Sequence, residues 1–180
     1  MKGENELNSS KKERILYSRG DISARIKELG ESISEKYKDR NLLVISLLRG
    51  SFIFTADLVR ELSIPVEVDF MTTASYGHDE ISSGNVEIIH DIRTDAEGRD
   101  ILIVDDIIDS GFTLKKVKES LNLKNPNSIE ICVMLDKPSR RKVDINPDFI
   151  GFSIPDVFIV GYGLNYGDYY RNIPYIFTFD

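Results

Sequence analysis

Ile101-Leu102-Ile103-Val104-Asp105-Asp106-Ile107-Ile108-Asp109-Ser110-Gly111-Phe112-Thr113 is the stretch of this 180-residue chain whose residue types and spacing could do chemistry. An apolar run fit for a buried strand ends in adjacent acids. After Ile107 and Ile108, the string Asp-Ser-Gly-Phe-Thr is placed to open a helix. In open α/β sheets, ligands sit at the carboxyl ends of strands. A Gly-containing turn at a helix N-terminus offers unpaired backbone N–H groups and the positive end of the helix dipole. Ser110 and Thr113 add hydroxyls, so the turn suits a phosphate monoester. Ionised carboxylates only accept hydrogen bonds, and a sugar diol supplies donors, so Asp105 and Asp106 suit neighbouring hydroxyls. Phosphate on one side and diol on the other describe a ribose 5-phosphate. Taken singly, these residues have a plainer reading: Asp109 or Ser110 as a helix cap, and the acids as ordinary strand-end residues. The whole ordered string is harder to explain that way.

Hydrophobic patterning supplies the scaffold. Ile22, Ile26, Leu29, Ile33 and Tyr37 recur at helical spacing with Lys, Arg and Glu between them, which predicts an amphipathic helix that Asp21 could cap. Leu42 to Leu48 is a continuous apolar run that suits a strand buried on both faces. Arg49-Gly50-Ser51 breaks it, Ser51 to Leu62 reads as a helix, and Pro65 closes that region. Val66, Val68 and Phe70 alternate with Glu67 and Asp69, which predicts a strand with one wetter face. From Thr72 to Asn85 the apolar signal fades, which marks a hairpin arm or a mobile functional loop. Val86 to Ile89 reads as its returning strand. Ile101 to Val104 is a buried strand, Phe112 to Leu121 a helix, and Ile129 to Leu135 another strand. Beyond Lys137, short strands are predicted at Phe149–Phe152 and Val157–Val160. Strand and helix alternate through the middle, so the fold class is α/β: a mainly parallel twisted sheet flanked by helices, with a small C-terminal lobe. Residues 1–14 read as a polar tail. Nothing rich in Pro, Gly or Ser divides residues 15–180, which read as one domain.

Bulk composition excludes several classes. There are 23 Lys and Arg against 30 Asp and Glu, a net charge of −7. General nucleic-acid or membrane-surface binding favours a basic excess and is not expected. One Cys can form no intramolecular disulfide and fits a reducing compartment. With only two His beside it, a four-ligand Cys/His zinc site is excluded as well. The N-terminus has no apolar signal core, and no apolar run nears the roughly 20 residues of a membrane span. A soluble cytoplasmic protein is the expectation. His78 and His90 have no partner spacing and read as surface residues, and Cys132 reads as inert core. Asp100, Asp105, Asp106 and Asp109 carry more than half of the −7 excess beside the sugar-phosphate turn. A polyanion bound there needs a divalent metal as well as local donors.

The Ile101–Thr113 string strongly resembles the phosphoribosyl-diphosphate-binding motif of the type I phosphoribosyltransferases. It is closer still to their 6-oxopurine branch, the hypoxanthine-guanine phosphoribosyltransferases. Further segments match that branch in order. Leu48-Arg49-Gly50-Ser51 is similar to its diphosphate-binding loop, and Ser75-Tyr76 to the pair in its flexible loop. Asp136-Lys137-Pro138, the run from Pro155 to Leu164, and Arg171 resemble its base- and diphosphate-binding C-terminal portion. The resemblance spans Ile15 to Asp180.

That resemblance implies purine salvage: transfer of the phosphoribosyl group from 5-phosphoribosyl diphosphate to N9 of hypoxanthine, and of guanine, with Mg2+, by a homodimer or homotetramer. It implies that Asp105 and Asp106 hold the ribose hydroxyls. The family usually has Glu then Asp, so the shorter Asp105 is expected to reach sugar or metal through water. Asp109 is implied at N7 of the purine as general acid or base, and the nearby carboxylates are expected to raise its pKa. Ser110, Gly111, Thr113 and the Phe112 N–H would wrap the 5′-phosphate, although the Phe112 side chain reads equally as core. Arg49, Gly50 and Arg171 would hold the diphosphate. Arg49 stands where the family commonly has Lys, and the useful groups there are largely backbone N–H groups beside a strained peptide bond. Ser75 and Tyr76, with Gly77 and Gly84 as hinges, would form a lid that keeps water from a cation-like sugar centre; a plain hairpin tip is the simpler reading. Lys137 would read the 6-oxo group, because an ammonium only donates and clashes with a 6-amino group. Alone it reads as a solvated Lys. Phe158 would stack on the base, with the Ile159 backbone at its edge, though Phe158 alone reads as core. Asn165 is the main departure. The family usually has Asp there, helping to hold a diphosphate-bound Mg2+, and Asn lacks the charge, so weaker metal or diphosphate binding is expected. The implied metal ligands are Asp105, Asp106 and Asn165, partly through water.

Other readings stay open. One is a phosphoribosyltransferase for xanthine or a pyrimidine, although Lys137-Pro138 and Phe158-Ile159 favour a 6-oxopurine over uracil. Another is a regulatory protein that keeps the fold and senses a nucleotide. Asp109, Tyr76 and Arg171 argue against it, and Asn165 argues for it. A pure scaffold leaves the acid string unexplained.

Overall fold

The apolar strings become the centre of a sheet because helices cover both of their faces. The computed structural model describes residues 12–75 and 86–179. In chain order these form β1 (Glu13–Tyr17), α1 (Arg19–Lys36), β2 (Leu42–Leu48), α2 (Phe52–Glu61), β3 (Glu67–Ser75), β4 (Val86–His90), β5 (Asp100–Ile108), α3 (Phe112–Asn122), β6 (Ser128–Asp136), β7 (Phe149–Ser153) and β8 (Ile176–Phe179), with a 3-10 turn at Pro138–Arg140. The main sheet has the order β4-β3-β2-β5-β6-β7. It is parallel except for β4, which returns antiparallel beside β3. This is the expected mainly parallel α/β sheet.

Side-chain alternation divides β2 between two cores. Leu42 and Val44 pack with Leu102, Val104 and Cys132 under α1 and α2. Leu43, Ile45 and Leu47 pack with Ile101, Ile103, Ile131 and Val133 under α3. A strand covered on both faces is apolar at nearly every position, here all but Ser46, which is why this run lacks a period of two. In β3 the alternation ends differently from expectation. Phe70 is exposed and Met71 is buried, while Asp69 accepts from the Arg93 and Thr94 N–H groups at 2.7 and 2.8 Å.

The predicted stripe of α1 is buried, Tyr37 included. Its cap is Ser18, not Asp21. The Ser18 hydroxyl accepts from the Asp21 N–H at 3.2 Å, and the Asp21 carboxylate accepts from the Ser18 N–H at 2.8 Å. A carboxylate at the third helical position completes a reciprocal capping box. The apolar stripe starts only after Asp21, and that hides the true beginning of the helix.

Strand β5 runs on past its acids. Asp105 pairs with Val133, Ile107 with Leu135 and Ile108 with Asp136 on β6, so the strand ends at Ile108 rather than Val104. On its other side, the pairing with β2 stops at Ser46–Val104. Asp105 and Asp106 therefore lie where the carboxyl ends of β2 and β5 part. Here the sheet also reverses its winding: α2 packs on one face and α3 on the other. Such a switch point is where open α/β sheets bind ligands.

A buried hydroxyl cluster fixes the end of β2. Ser46 Oγ lies 2.9 Å from Ser51 Oγ and 2.8 Å from Thr55 Oγ1, and Ser51 Oγ donates to the Leu47 carbonyl at 2.5 Å. These groups are buried and satisfy one another, where an unpaired hydroxyl would be costly. They hold the turn that follows, in which the Leu48–Arg49 peptide is cis.

A separate two-stranded sheet orders the C-terminal lobe. β1 and β8 pair antiparallel, with Glu13 opposite Phe179. This strand begins inside the stretch that composition marks as tail. Val157–Val160 is not a strand: Val160 alone pairs there, as a lone bridge to Phe177. The Val157 N–H bonds the Pro155 carbonyl at 2.9 Å and bends the chain out of line. The run is apolar because Ile159 and Val160 are buried, not because it lies in a sheet.

Candidate active site

The opening between β2 and β5 is a cleft of about 270 Å³. Its lining brings together Arg49 and Gly50 after β2, Asp105, Asp106 and Asp109 on and after β5, Ser110, Gly111 and Thr113 at the entry to α3, and Thr73 of β3. Helix α3 starts at Phe112 with Gly111 as its N-cap at φ +88°, and no side chain caps it. Neither Asp109 nor Ser110 is spent as a cap. A left-handed N-cap favours glycine, and the first N–H groups of a helix have no intrahelical acceptor. The turn therefore offers backbone and hydroxyl donors together. Phe112 is half-buried and does not line the cleft.

Asp105 is buried and Asp106 half-buried. Burial first, and the charge of Asp106 second, push the Asp105 carboxyl well above the usual carboxylate range. Burial raises Asp106 too, opposed by its hydrogen bond with Asp105, the Ile107 N–H at 2.9 Å and the charge of Arg171. Like-charge repulsion acts between Asp106 and Asp105. Asp109 faces cations: Arg140 Nε lies 2.8 Å from its Oδ1, and Arg141 Nη1 donates to its carbonyl at 2.5 Å.

On the proposed diphosphate side, close approaches to two glycines decide the geometry. A Cβ at Gly50 would overlap the Asp106 carboxylate. A Cβ at Gly163, where φ is +99°, would overlap the Gly50 carbonyl. The Gly163 N–H donates to the Arg171 carbonyl at 3.0 Å, and Arg171 Nη1 donates back to the Gly163 carbonyl at 2.6 Å. Buried Tyr162 donates its hydroxyl to Asp57 Oδ2 at 2.6 Å, which ties this loop to α2.

On the proposed base side, two single-residue expectations reverse. Lys137 is buried rather than solvated. Its N–H donates to the Ile108 carbonyl at 3.0 Å, and its Nζ lies 3.7 Å from Asp156 Oδ1. Phe158 is 58% exposed rather than core, with its ring edge to Tyr166 at 5.6 Å between centroids. Ile159 beside it is buried. Asn165 is exposed, and its amide donates to the Gly167 carbonyl at 2.5 Å. Among the described residues, no group of three or more His, Cys, Asp and Glu forms a ready metal centre. Ser75 ends β3 opposite Val86, whereas Tyr76, Gly77, His78 and Gly84 lie outside the described residues. His90 is exposed and Cys132 buried, as expected.

Sequence reasoning passed over Thr73, Arg140, Arg141 and the part played by Asp156. Arg140 Nη1 lies 3.3 Å from Asp156 Oδ1, and Arg141 Nη2 lies 2.5 Å from the buried Asp136. A signal existed: Ser139-Arg140-Arg141-Lys142 is a basic cluster directly after a strand-end Asp-Lys-Pro, which puts cations at the carboxyl edge of the sheet.

Donors for a phosphate and acceptors for a diol, at the switch point of a doubly wound sheet, define a sugar-phosphate-binding α/β protein. The model of the phosphoribosyl transferase domain matches residues 15–167, and the chain belongs to that family. It is 52% identical over 164 residues to the hypoxanthine phosphoribosyltransferase of Salmonella typhimurium, covering 90% of this chain and 92% of the relative. It is 49% identical over 164 residues to the hypoxanthine-guanine phosphoribosyltransferase of Bacillus subtilis, covering 91% of each. Among solved structures, a hypoxanthine phosphoribosyltransferase from Staphylococcus aureus superposes with a TM-score of 0.89 at 41% identity, covering 93% of this chain and 91% of that one. Among the described residues, no helix is long and apolar enough to cross a membrane.

The raised Asp105 pKa has a stability consequence. Its contribution is fully present below the unfolded value of about 3.9 and is lost as pH rises through the higher folded value. Asp105→Asn stays neutral throughout. Thermal melts should place it above the wild type at about pH 7.5, with the gap closing near about pH 4. A variant that melts lower at neutral pH would show that the ionised carboxylate is well compensated.

Proposed function

We propose that the chain transfers the phosphoribosyl group of 5-phosphoribosyl diphosphate to N9 of hypoxanthine, and of guanine, forming the purine nucleotide and diphosphate. The observation that carries this reading is the contact of Gly50 with both Asp106 and Gly163, which brings the acid pair, the turn after β2 and the Arg171 loop against one another. Relatives at 52% and 49% identity, named as transferases of this kind, support it. They lend no support to the nucleotide-sensing reading.

In this mechanism, Ser110, Gly111, Thr113 and the Phe112 N–H take the 5′-phosphate at the start of α3. Asp105 and Asp106 accept hydrogen bonds from the ribose hydroxyls. Arg171 and the Arg49–Gly50 turn take the diphosphate. Lys137 donates to O6. An adenine offers no acceptor there, and leaving a buried donor unpaired is costly, so adenine is rejected. Phe158, already exposed, stacks on the base, and the Ile159 backbone meets its edge. As the bond to diphosphate lengthens, positive charge develops on the sugar, and the carboxylates beside it stabilise that charge. Asp109 moves the proton at N7 as N9 bonds to the sugar. Ser75 and Tyr76 would help exclude water from the sugar centre. A cytoplasmic homodimer or homotetramer goes with this reading.

The donor set fits Mg2+. Asp105 and Asp106 are adjacent carboxyls raised by burial, and an incoming diphosphate adds further negative charge. Mg2+ is typically held by one or two carboxylates together with phosphate oxygens. Asp105 and Asp106 would hold it, in part through water, and when bound it neutralises charge on the diphosphate leaving group. Asn165 brings no charge and turns its amide to Gly167, so metal or diphosphate is held more weakly than with Asp there.

Incubation with 5-phosphoribosyl diphosphate, Mg2+ and each of hypoxanthine, guanine, xanthine, adenine and uracil should yield nucleotide and diphosphate from the first two bases. No product from any base would favour the nucleotide-sensing reading. Asp109→Asn should cut turnover by about 10²–10⁴-fold with little loss of substrate binding; an unaffected rate removes its role. Asn165→Asp should lower the Mg2+ concentration needed for half-maximal rate, and an unchanged requirement discards position 165 as a metal site.

A further inference from the structure

Lys137, Asp156, Arg140 and Asp109 form an array of alternating charge beside the base site. Lys137 Nζ is 3.7 Å and Arg140 Nη1 3.3 Å from the same Asp156 oxygen, and Arg140 Nε is 2.8 Å from Asp109 Oδ1. One guanidinium therefore joins the carboxylate assigned to N7 with the carboxylate that faces the 6-oxo reader. The backbone holds this array in place. Lys137 and Arg140 share one tight turn, closed by the Arg140 N–H on the Lys137 carbonyl at 3.1 Å. Arg141 next to it bonds both the Asp109 carbonyl and the Asp136 carboxylate at 2.5 Å, so Asp109 and the turn stay in register.

Stability alone does not account for the array. The Arg140, Asp109 and Asp156 side chains are well exposed, and exposed ion pairs add little to stability. The guanidinium, however, places two nitrogens of one rigid plane on two different carboxylates, which a single ammonium cannot do. The contact to Asp109 is an ion pair without a hydrogen bond: Oδ1 is buried and has no hydrogen-bond partner, so Arg140 acts on it through charge and proximity. Asp156 balances Lys137 without exhausting it, since an ammonium has three donors.

We propose that Arg140 is a positioning residue of the purine site. It fixes Asp109 and, through Asp156, Lys137, so that the groups at N7 and O6 meet one purine together. This rests on the function proposed above and assigns Arg140 no contact with substrate.

Steady-state kinetics on Arg140→Ala and Arg140→Lys, with the wild type alongside, test it. Arg140→Ala should keep its melting temperature and its KM for 5-phosphoribosyl diphosphate. Its kcat/KM for hypoxanthine should fall by about ten- to a hundredfold, as misplaced catalytic groups do. Arg140→Lys keeps the charge without the fork and should recover little; it also carries the test should Arg140→Ala melt early. Arg140→Ala combined with Asp156→Asn should lose less than the product of the single losses, because both break one link. Full recovery by Lys, or an equal rise in KM for both substrates, makes Arg140 a mere surface charge and overturns the proposal. A wild type that transfers nothing to hypoxanthine overturns the functional reading and this proposal with it. An active wild type beside an unaffected Arg140→Ala overturns this proposal alone.

Discussion

Gly50 has no side chain, and three parts of the protein meet where one would stand. The Asp106 carboxylate of β5 fills the space of its missing Cβ, and Gly163 of the C-terminal loop lies on its carbonyl. Each partner is held from behind. The hydroxyls of Ser46, Ser51 and Thr55 pin the turn that carries Gly50. Pairing with β6 extends β5 past its acids. Tyr162 fastens the loop to Asp57 of α2. The approach of Gly163 to the Gly50 carbonyl is set by backbone, and that of Asp106 to Gly50 by one short side chain, so the acid pair, the turn and the Arg171 loop are positioned together.

Electrostatics follow from that placement. The contact crowds Asp105 and Asp106 into a half-buried corner, where burial raises both carboxyls. Cations border the corner without filling it. Arg171 bears on Asp106, Arg140 and Arg141 on Asp109, and Lys137 on Asp156. The net charge of −7 is therefore poorly described as a bulk property. An acidic centre with a cationic border suits a ligand that carries phosphate at its ends and a diol between them.

Much of the site was legible because its parts are neighbours in sequence. Strand end, acid pair, glycine turn and helix start all lie between Ile101 and Thr113, and local pattern suffices to order them. What escaped notice was non-local. Nothing near Gly50 in sequence tells that Gly163 will rest on it. Lys137 and Phe158 went against their usual environments because burial is decided by tertiary neighbours: Lys137 is buried beside Asp156, and Phe158 is left exposed. β1 and β8 are short, and each is stabilised mainly by a partner at the far end of the chain. The cap of α1 was displaced by one turn because apolar periodicity marks the buried face of a helix, not its end.

The most direct test of this account is a titration of 5-phosphoribosyl diphosphate, with Mg2+ present, into Gly50→Ala protein. The added methyl meets the Asp106 carboxylate, the end of a short side chain, rather than the core of the sheet. The variant should melt close to the wild type and bind 5-phosphoribosyl diphosphate at least about tenfold more weakly, a change of roughly 1.4 kcal/mol. Wild-type affinity in a folded Gly50→Ala protein would contradict the claim that this contact sets the position of Asp106.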